Sequence, residues 1–266
     1  MSQTLKKQNI LVTRPAHQAD NLCDLIEQQG GQAIRFPTLE IVGLKNTRIK
    51  QQFEELKQWH WLIFISTNAV NFALAANNGK IDAFKACSIA AVGKATEKAL
   101  ISAGLTVELM PENNFNTEGL LATEAMQRVN DQNCLIVRGV GGRETLANSL
   151  RERGATVNYM EVYNREIPML DQSNVENMLK NQTLDAITIT SGDALKNLVT
   201  MIRADLAEDL FSVPLIVISN RIKQLAEDIG FKIIAVTDNP SDTAIIKTVV
   251  QMGMNSSKLI NGGYSG

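Results

Sequence analysis

The amino-acid sequence predicts an α/β protein made of two similar domains, each built on a parallel β-sheet. Its length of 266 residues is long for one compact domain and favours two domains of about 130 residues each. Short segments rich in Ile and Val alternate with roughly a dozen residues of helical periodicity, which is the βαβ order of parallel sheets. These segments also form an internal repeat.

Ten segments have the composition of buried strands, and the helical segments that follow them end near a glycine. Ten strands suggest two sheets of five. In chain order, the predicted strands are residues 9–13, 32–36, 61–65, 88–92, 106–109, 134–138, 155–160, 185–189, 214–218 and 232–235.

The internal repeat contains two kinds of unit. Residues 10–30 and 135–154 each place an arginine at a strand end and a glycine sixteen residues later. Residues 64–74 and 188–198 each place a serine, Ser66 or Ser191, between a strand and a helix. A further match follows about 27 residues after each serine. There a helix-ending glycine lies eleven residues after a strand end, at positions 93–104 and 219–230.

Units with the arginine and units with the serine alternate along the chain. If each domain contains one unit of each kind, the four units can be paired in two ways. The simple pairing divides the chain near residue 130, whereas the nested pairing joins the first unit to the last. Two extended, proline-containing segments favour the nested pairing because they resemble a pair of linker strands. This pairing makes the first domain discontinuous and predicts a two-stranded β-ladder between the domains. The predicted parts are domain 1 at 1–37 and 168–252, domain 2 at 38–167 with linker strands at about 38–43 and 160–167, and a disordered tail at 253–266.

Composition excludes several classes of protein. The net charge of −2 gives no basic field for nucleic acid, and no apolar run approaches the roughly 18 residues of a membrane helix. We therefore expect a cytoplasmic protein with no nucleic-acid or membrane partner. Cys23, Cys87 and Cys134 are expected to be buried, reduced thiols. His17 and His60 are the only histidines, so neither a zinc cluster nor a Ser-His-Asp triad is expected.

Small residues and hydrogen-bond donors follow most predicted strands. In parallel α/β sheets, ligands bind beyond the carboxyl ends of the strands, so these residues predict a cleft for a ligand with many carboxylates or phosphates. Ser, Thr and Asn are also favoured helix N-caps, which is the structural alternative for several of these positions. The residues are Arg14, Ser66, Thr67, Asn68, Gly93, Lys94, Arg138, Gly139, Thr190, Ser191, Gly192, Ser219, Asn220 and Arg221.

The segment RGVGGRE at 138–144 is the strongest candidate for an anion-binding loop. Its glycines Gly139, Gly141 and Gly142 would let backbone amides approach an anion, and Arg143 adds a positive charge. The third glycine of a dinucleotide-binding motif is replaced by Glu144, which leaves NAD binding as a weaker interpretation. A phosphate-binding Walker loop fits worse, since alanine follows the lysine of AVGKAT at 91–96.

Tyr163 lies at the end of a predicted strand, where its phenol could donate a proton in a cleft. The alternative is that its ring only packs the linker.

Taken in order, eight stretches resemble the uroporphyrinogen-III synthase family, with the closest resemblance to its proteobacterial branch. The match spans about residues 9–250, and its specificity lies in the order and spacing of motifs that are individually loose. The stretches are LVTRP at 11–15, FISTNAV at 64–70, AVGKAT at 91–96, FNTEGLL at 115–121, LIVRGVGGRETLANSLRERGA at 135–155, EVYNRE at 161–166, ITSG at 189–192 and VISNRIKQLAEDIG at 217–230.

The resemblance implies an enzyme that closes linear hydroxymethylbilane into uroporphyrinogen III, with two α/β domains joined by a β-ladder. It implies no metal and no organic cofactor, and we expect a monomer. In the implied reaction, loss of the ring A hydroxyl gives an azafulvenium cation. Ring D then attacks through its substituted carbon, forming a spiro-pyrrolenine that reopens and recloses with ring D inverted. By the resemblance, Tyr163 is the favoured general acid, and Thr117 of FNTEGLL joins the substrate-binding residues.

This chain departs from the family pattern in its last motif. Many members carry glycine, proline and two threonines where this chain has Ser219, Asn220, Arg221 and Ile222. Ile222 cannot make the contact of a threonine hydroxyl, and Arg221 could offer a carboxylate contact in its place. The main rival interpretation is a non-catalytic two-domain protein that holds a polyanionic small molecule in the same cleft.

Overall fold

The computed structural model describes residues 5 and 7–261, with side chains described up to residue 252. The strands are β1 (Asn9–Val12), β2 (Gln32–Arg35), β3 (Glu40–Gly43), β4 (Trp61–Phe64), β5 (Ser88–Ala91), β6 (Asn133–Gly139), β7 (Thr156–Glu166), β8 (Ala186–Ile189), β9 (Leu215–Val217) and β10 (Ile234–Val236). The α-helices are α1 (Ala16–Gln28), α2 (Thr47–Glu54), α3 (Thr67–Ala76), α4 (Lys94–Ser102), α5 (Thr117–Ala122), α6 (Glu124–Gln127), α7 (Thr145–Glu152), α8 (Ser173–Lys180), α9 (Gly192–Met201), α10 (Ala207–Ser212), α11 (Asn220–Ile229) and α12 (Asp242–Asn261). Short 3-10 helices cover Leu56–Gln58, Asp82–Ala86 and Ala204–Leu206.

The strands form two five-stranded sheets, in the orders β10-β9-β8-β1-β2 and β3-β7-β6-β4-β5. All four neighbouring pairs of the first sheet are parallel, as are β7·β6, β6·β4 and β4·β5 in the second. The internal repeat accounts for this order, because β1 and β2 correspond to β6 and β7, while β8 and β9 correspond to β4 and β5. The predicted fold class is therefore confirmed.

The chain divides into two compact units. Unit 1 contains the described residues up to Glu40 and from Glu166 onward, and unit 2 is Ile41–Arg165. The two chain crossings fall at β3 and β7, which are neighbours in the second sheet. The predicted boundaries lie within three residues of this division. The domain bounds themselves stay a prediction.

Both faces of each sheet are covered by helices, which explains the uniformly apolar strands. In β1, Ile10 and Val12 pack with α1 and α12, whereas Leu11 packs with Ile187 and Leu198 on the opposite face. Because successive residues of a strand point to opposite faces, a strand covered on both sides needs apolar residues at every position.

Two segments differ from the sequence prediction. Residues 106–109 do not form a strand, and only one parallel bridge joins Leu109 to Ala90. The Glu108 carboxylate accepts a hydrogen bond from the backbone amide of Ile89 at 2.6 Å and replaces a ladder bond there. The fifth strand of that sheet is β3 instead. The predicted disordered tail begins at residue 253, but α12 continues to Asn261, and residues 262–266 lie outside the described residues.

The three cysteines are free and buried, as predicted. Burial raises the pKa of the Cys87 and Cys134 thiols to about 11, so both are protonated at neutral pH. Among the described residues, no group of three or more His, Cys, Asp or Glu side chains could hold a metal ion. Across the same residues, no helix is long and apolar enough to cross a bilayer.

Candidate active site

A cavity of about 320 Å³ lies at the carboxyl ends of strands β4 to β7 in unit 2. Seven residues predicted from the sequence to form the site line it: Thr117, Arg138, Gly139, Gly141, Gly142, Arg143 and Tyr163. The other lining residues are Ile65, Val92, Asn116, Glu118, Ile136, Leu146, Ala147, Tyr159 and Arg165. Parallel strands bring their carboxyl ends to one edge, which is why residues far apart in sequence meet here.

Tyr163 enters this cavity because the pairing of β6 and β7 is irregular. Arg138 pairs with Glu161, but the next residue, Gly139, pairs with Tyr163, so β7 contains one extra residue at this point. The backbone amide of Val140 donates to the carbonyl of Tyr163 at 2.8 Å and fixes the irregularity. An extra residue redirects the side chains that follow it, which places a tyrosine with only 1% exposure against the cavity.

Gly139 provides the space for the Tyr163 ring. A Cβ atom at position 139 would stand 2.4 Å from Cε2 of Tyr163 and 2.6 Å from Cζ, closer than non-bonded carbons approach. On another side, the ring of Phe72 lies 5.6 Å from that of Tyr163, centroid to centroid. The ring is therefore held between a glycine and an aromatic residue.

Two polar side chains face the Tyr163 hydroxyl. Ser66 Oγ lies 3.4 Å from it, and Arg165 Nη2 donates towards it at 3.4 Å. Ser66 also caps α3, since its Oγ accepts a hydrogen bond from the amide of Ala69 at 3.1 Å. The phenol can thus exchange a proton beside a hydroxyl group and a permanent positive charge.

Arg138 has a different environment from the one the sequence suggested. Its residue exposure is 3%, and its Nη1 lies 3.0 Å from Oε1 of Glu144. The ring of Tyr159 lies 4.5 Å from the Arg138 Cζ, and the Tyr159 hydroxyl hydrogen-bonds to the other Glu144 oxygen. The hydrogen bonds from Tyr159 and Arg138 lower the pKa of Glu144 below its ordinary value. Burial, followed by the hydrogen bond to Glu144, raises the pKa of Tyr159.

We call residues 139–144 the glycine loop. Gly141 and Gly142 have φ angles of 69° and 106°, a region that side-chain-bearing residues rarely adopt. Both glycines and Arg143 are exposed. Glu144, which takes the place of a third glycine, pairs with Arg138, so the unusual residue has a structural role.

The other predicted residues of unit 2 lie at the same edge without lining the cavity. Thr67 and Asn68 begin α3, Gly93 precedes α4, and Lys94 Nζ lies 4.3 Å from the centre of the Phe115 ring.

The predicted residues of unit 1 lie at the carboxyl ends of β1, β8 and β9, and several already have partners. Ser191 Oγ and Ser219 Oγ accept the amides of Ala194 and Ile222 at 3.0 and 3.4 Å, as N-caps do. Arg14 forms an ion pair with Asp242 at the start of α12. The remaining residues at these strand ends are Thr190, Gly192, Asn220 and Arg221.

Ile222 explains one departure from the family pattern. Its side chain is 3% exposed and belongs to the apolar core of unit 1. An isoleucine therefore strengthens the packing of α11 at a position where a threonine hydroxyl would need a buried partner.

Sequence reasoning missed Tyr159, Glu144 and Arg165 as members of the site. Tyr159 pairs with Ile136 across the sheet, and neither the register nor the irregularity at Gly139 can be read from one strand alone. The sequence did contain one indication of the Arg138–Glu144 ion pair, because these two residues lie at the two ends of the glycine-rich segment.

Residues 20–247 match the protein family described as HEM4: Uroporphyrinogen-III synthase HemD. The uroporphyrinogen-III synthase of Escherichia coli (strain K12) is 28% identical over 244 residues, covering 91% of this chain and 99% of that protein. The family match extends over most of the chain and establishes membership.

Two solved structures have the same fold. The uroporphyrinogen-III synthetase of Helicobacter pylori 26695 aligns with a TM-score of 0.62 and 16% identity, covering 92% of this chain and 99% of the other. A mutant uroporphyrinogen III synthase from the extremely thermophilic bacterium Thermus thermophilus aligns with a TM-score of 0.59 and 16% identity, with the same coverage. At this identity the likeness supports the fold alone.

We predict that Gly139→Ala lowers the free energy of unfolding by about 1–3 kcal/mol, the usual range for overpacking a core. The added methyl group must displace the Tyr163 ring. Urea denaturation measures the change. Gly93→Ala is the matched control, because Gly93 has an extended backbone and its added Cβ would come no closer than 3.5 Å to another atom. Equal stability of the two variants would contradict the close contact with Tyr163.

We also predict a pH-dependent contribution of Glu144 to stability. The folded-state pKa of Glu144 lies below its ordinary value of 4.5. Its stabilising effect is therefore complete above that pH and is lost as the pH falls through the folded-state pKa. The difference in thermal unfolding midpoint between the wild type and Glu144→Gln should stay constant from about pH 7 to 5 and shrink below 4.5.

Glu152→Gln removes the same charge from the exposed end of α7 and controls for net charge. A wild-type advantage over Glu144→Gln that grows on acidification would contradict the prediction.

Proposed function

Because this chain belongs to the uroporphyrinogen-III synthase family, we propose that it converts linear hydroxymethylbilane into uroporphyrinogen III, with loss of water and inversion of ring D. The observation that carries the mechanism is the Tyr163 hydroxyl, which lines a cavity rich in hydrogen-bond donors and lies 3.4 Å from both Ser66 Oγ and Arg165 Nη2. The enzyme is a cyclising lyase.

Tyr163 acts as the general acid. It donates its proton to the hydroxyl group on the methylene carbon of ring A, the carbon–oxygen bond breaks, and water leaves. The product is an azafulvenium cation on ring A and a phenolate on Tyr163. The Arg165 guanidinium and the Ser66 hydroxyl stabilise this negative charge by hydrogen bonding.

Ring D then attacks the ring A methylene carbon through its already substituted carbon. The resulting spiro-pyrrolenine breaks its bond to the bridge from ring C, and that bridge bonds to the unsubstituted carbon of ring D. The proton lost from this carbon restores the charge balance and can return to Tyr163. Positioning decides the outcome, because spontaneous closure gives the uninverted isomer.

The substrate bears eight carboxylates, which account for the many donors. The cavity of about 320 Å³ lies at the lower end of the range for sites that enclose drug-sized ligands. It therefore has room for part of a four-ring chain. We assign to it the reacting end of the bilane and at least one carboxylate, held by Arg143 and the amides of the glycine loop.

The strand ends of unit 1 are proposed to hold further carboxylates. Ser191 and Ser219 already accept a helix amide, so their contribution comes through the other first-turn amides, which lack a partner within the helix. Arg221 adds a positive charge at the start of α11. Arg14 pairs with Asp242, and this ion pair must rearrange before Arg14 can bind substrate.

We further propose that the protein works as a cytoplasmic monomer without metal or organic cofactor. Purified protein should elute at its monomer mass in size-exclusion chromatography, and activity should persist in EDTA.

The function is tested by incubating the purified protein with enzymatically generated hydroxymethylbilane in EDTA, oxidising the products and separating the uroporphyrin isomers. We expect mainly isomer III. Isomer I alone would contradict the proposal and favour a non-catalytic binding protein.

We predict that Tyr163→Phe lowers kcat for isomer III by about 100-fold, the low end of the effect of general acid catalysis. Phenylalanine keeps the ring beside Gly139 and removes only the hydroxyl, so the thermal unfolding midpoint should change little. Turnover is followed by isomer separation and folding by circular dichroism. Unchanged kcat in a folded variant would remove the acid role from Tyr163.

A further inference from the structure

The guanidinium of Arg138 contacts the glycine loop at its beginning and at its end. Its Nε donates to the carbonyl of Gly139 at 3.1 Å, and its Nη1 lies 3.0 Å from Glu144 Oε1. Its Nη2 stands 3.1 Å from the point where a Cβ of Gly142 would be. One buried cation thus holds both ends of the loop.

Tyr159 connects this arrangement to the neighbouring strand. Its ring lies 4.5 Å from the Arg138 Cζ, and its hydroxyl binds Glu144. Glu144 is therefore held by two partners, one on β6 and the other on β7. Arg138 lies on β6, the middle strand of this sheet, and Tyr159 lies on the adjacent strand β7.

The charge of Arg138 is compensated inside the protein. The Glu144 carboxylate is its partner, and a buried guanidinium without one would be strongly destabilising. Arg138 is therefore poorly suited to bind a substrate carboxylate. Among the residues that the structure describes, no carboxylate forms an ion pair with Arg143, which is exposed and lines the cavity.

Two glycines in succession make the loop intrinsically flexible. Gly141 and Gly142 have positive φ angles and are exposed, and a Cβ added to Gly141 would meet no other atom within 4 Å. A flexible loop must lose conformational entropy when it binds a ligand. Restricting it in advance reduces that loss and raises affinity.

We propose that Arg138, Glu144 and Tyr159 are positioning residues that hold the glycine loop in the conformation that binds a substrate carboxylate. The direct contacts come from Arg143 and from the backbone amides of Gly141 and Gly142. This inference rests on the proposed function and refines it, because it moves Arg138 from the substrate-binding group to the groups that support it.

The test compares KM and kcat for hydroxymethylbilane among the wild type, Glu144→Gln, Tyr159→Phe, Arg143→Gln and the double variant Glu144→Gln/Arg143→Gln. Glu144→Gln and Tyr159→Phe should each raise KM by about threefold to tenfold, the cost of ordering the loop on binding. Neither should change kcat, because Tyr163 and Arg165 remain in place.

The double variant separates positioning from general destabilisation. If Glu144 acts through the placement of Arg143, Glu144→Gln should raise KM much less in the Arg143→Gln background. Glu152→Gln, which removes a carboxylate at the exposed end of α7, should leave KM unchanged. Should Glu144→Gln fail to fold, Tyr159→Phe, which removes one oxygen atom, is combined with Arg143→Gln for the same test.

Three outcomes would overturn the inference. Additive effects in the double variant would mean that Glu144 acts independently of Arg143. A fall in KM for Glu144→Gln would mean that Glu144 competes with the substrate, and a fall in kcat alone would place it in the chemical step. If the wild type forms only isomer I, the proposed function itself fails. If the wild type forms isomer III but the effects of Glu144→Gln and Arg143→Gln on KM are additive, only this inference fails.

Discussion

The site depends on one backbone contact, the irregular pairing of Gly139 with Tyr163 at the end of strands β6 and β7. The pairing is possible because Gly139 has no side chain, and a Cβ atom there would lie 2.4 Å from the tyrosine ring. It places Tyr163 of β7 against the cavity, with Arg165 beside its hydroxyl. It also sets where the glycine loop leaves the sheet.

The three arginines that line the cavity differ in burial and in their partners. Arg138 is buried and paired with Glu144, so its charge supports the loop. Arg143 is exposed on that loop, and Arg165 lies next to Tyr163. Burial and partners distinguish these three side chains, which the sequence alone cannot do. The arrangement suits a substrate whose many carboxylates need separate contacts while one hydroxyl must be protonated.

Internal repetition accounts for the architecture but not for the site. Arg14 and Arg138 occupy equivalent places in the repeat, yet Arg14 pairs with Asp242 of a distant helix and Arg138 with a residue of its own loop. Ser66 and Ser191 both cap helices, whereas Ser66 alone of the two faces a tyrosine hydroxyl among the described side chains. Equivalent positions lie at equivalent strand ends, and their different neighbours give them different chemistry.

The sequence by itself determined the α/β class and the two parallel sheets, favoured the nested pairing of the repeats, and predicted the strand ends as the place where a ligand binds. Those features follow from periodicity, glycine placement and repeat order, which are local properties. The strand predicted at 106–109 was wrong, since this segment makes only one bridge to β5 and the Glu108 side chain accepts the Ile89 amide, contacts that composition does not encode. Only the tertiary structure decided that Arg138 forms an ion pair with Glu144, that Tyr159 and Arg165 line the same cavity and that Gly139 makes room for Tyr163. The reason is that these contacts depend on the register of neighbouring strands, which brings together residues from separate parts of the chain.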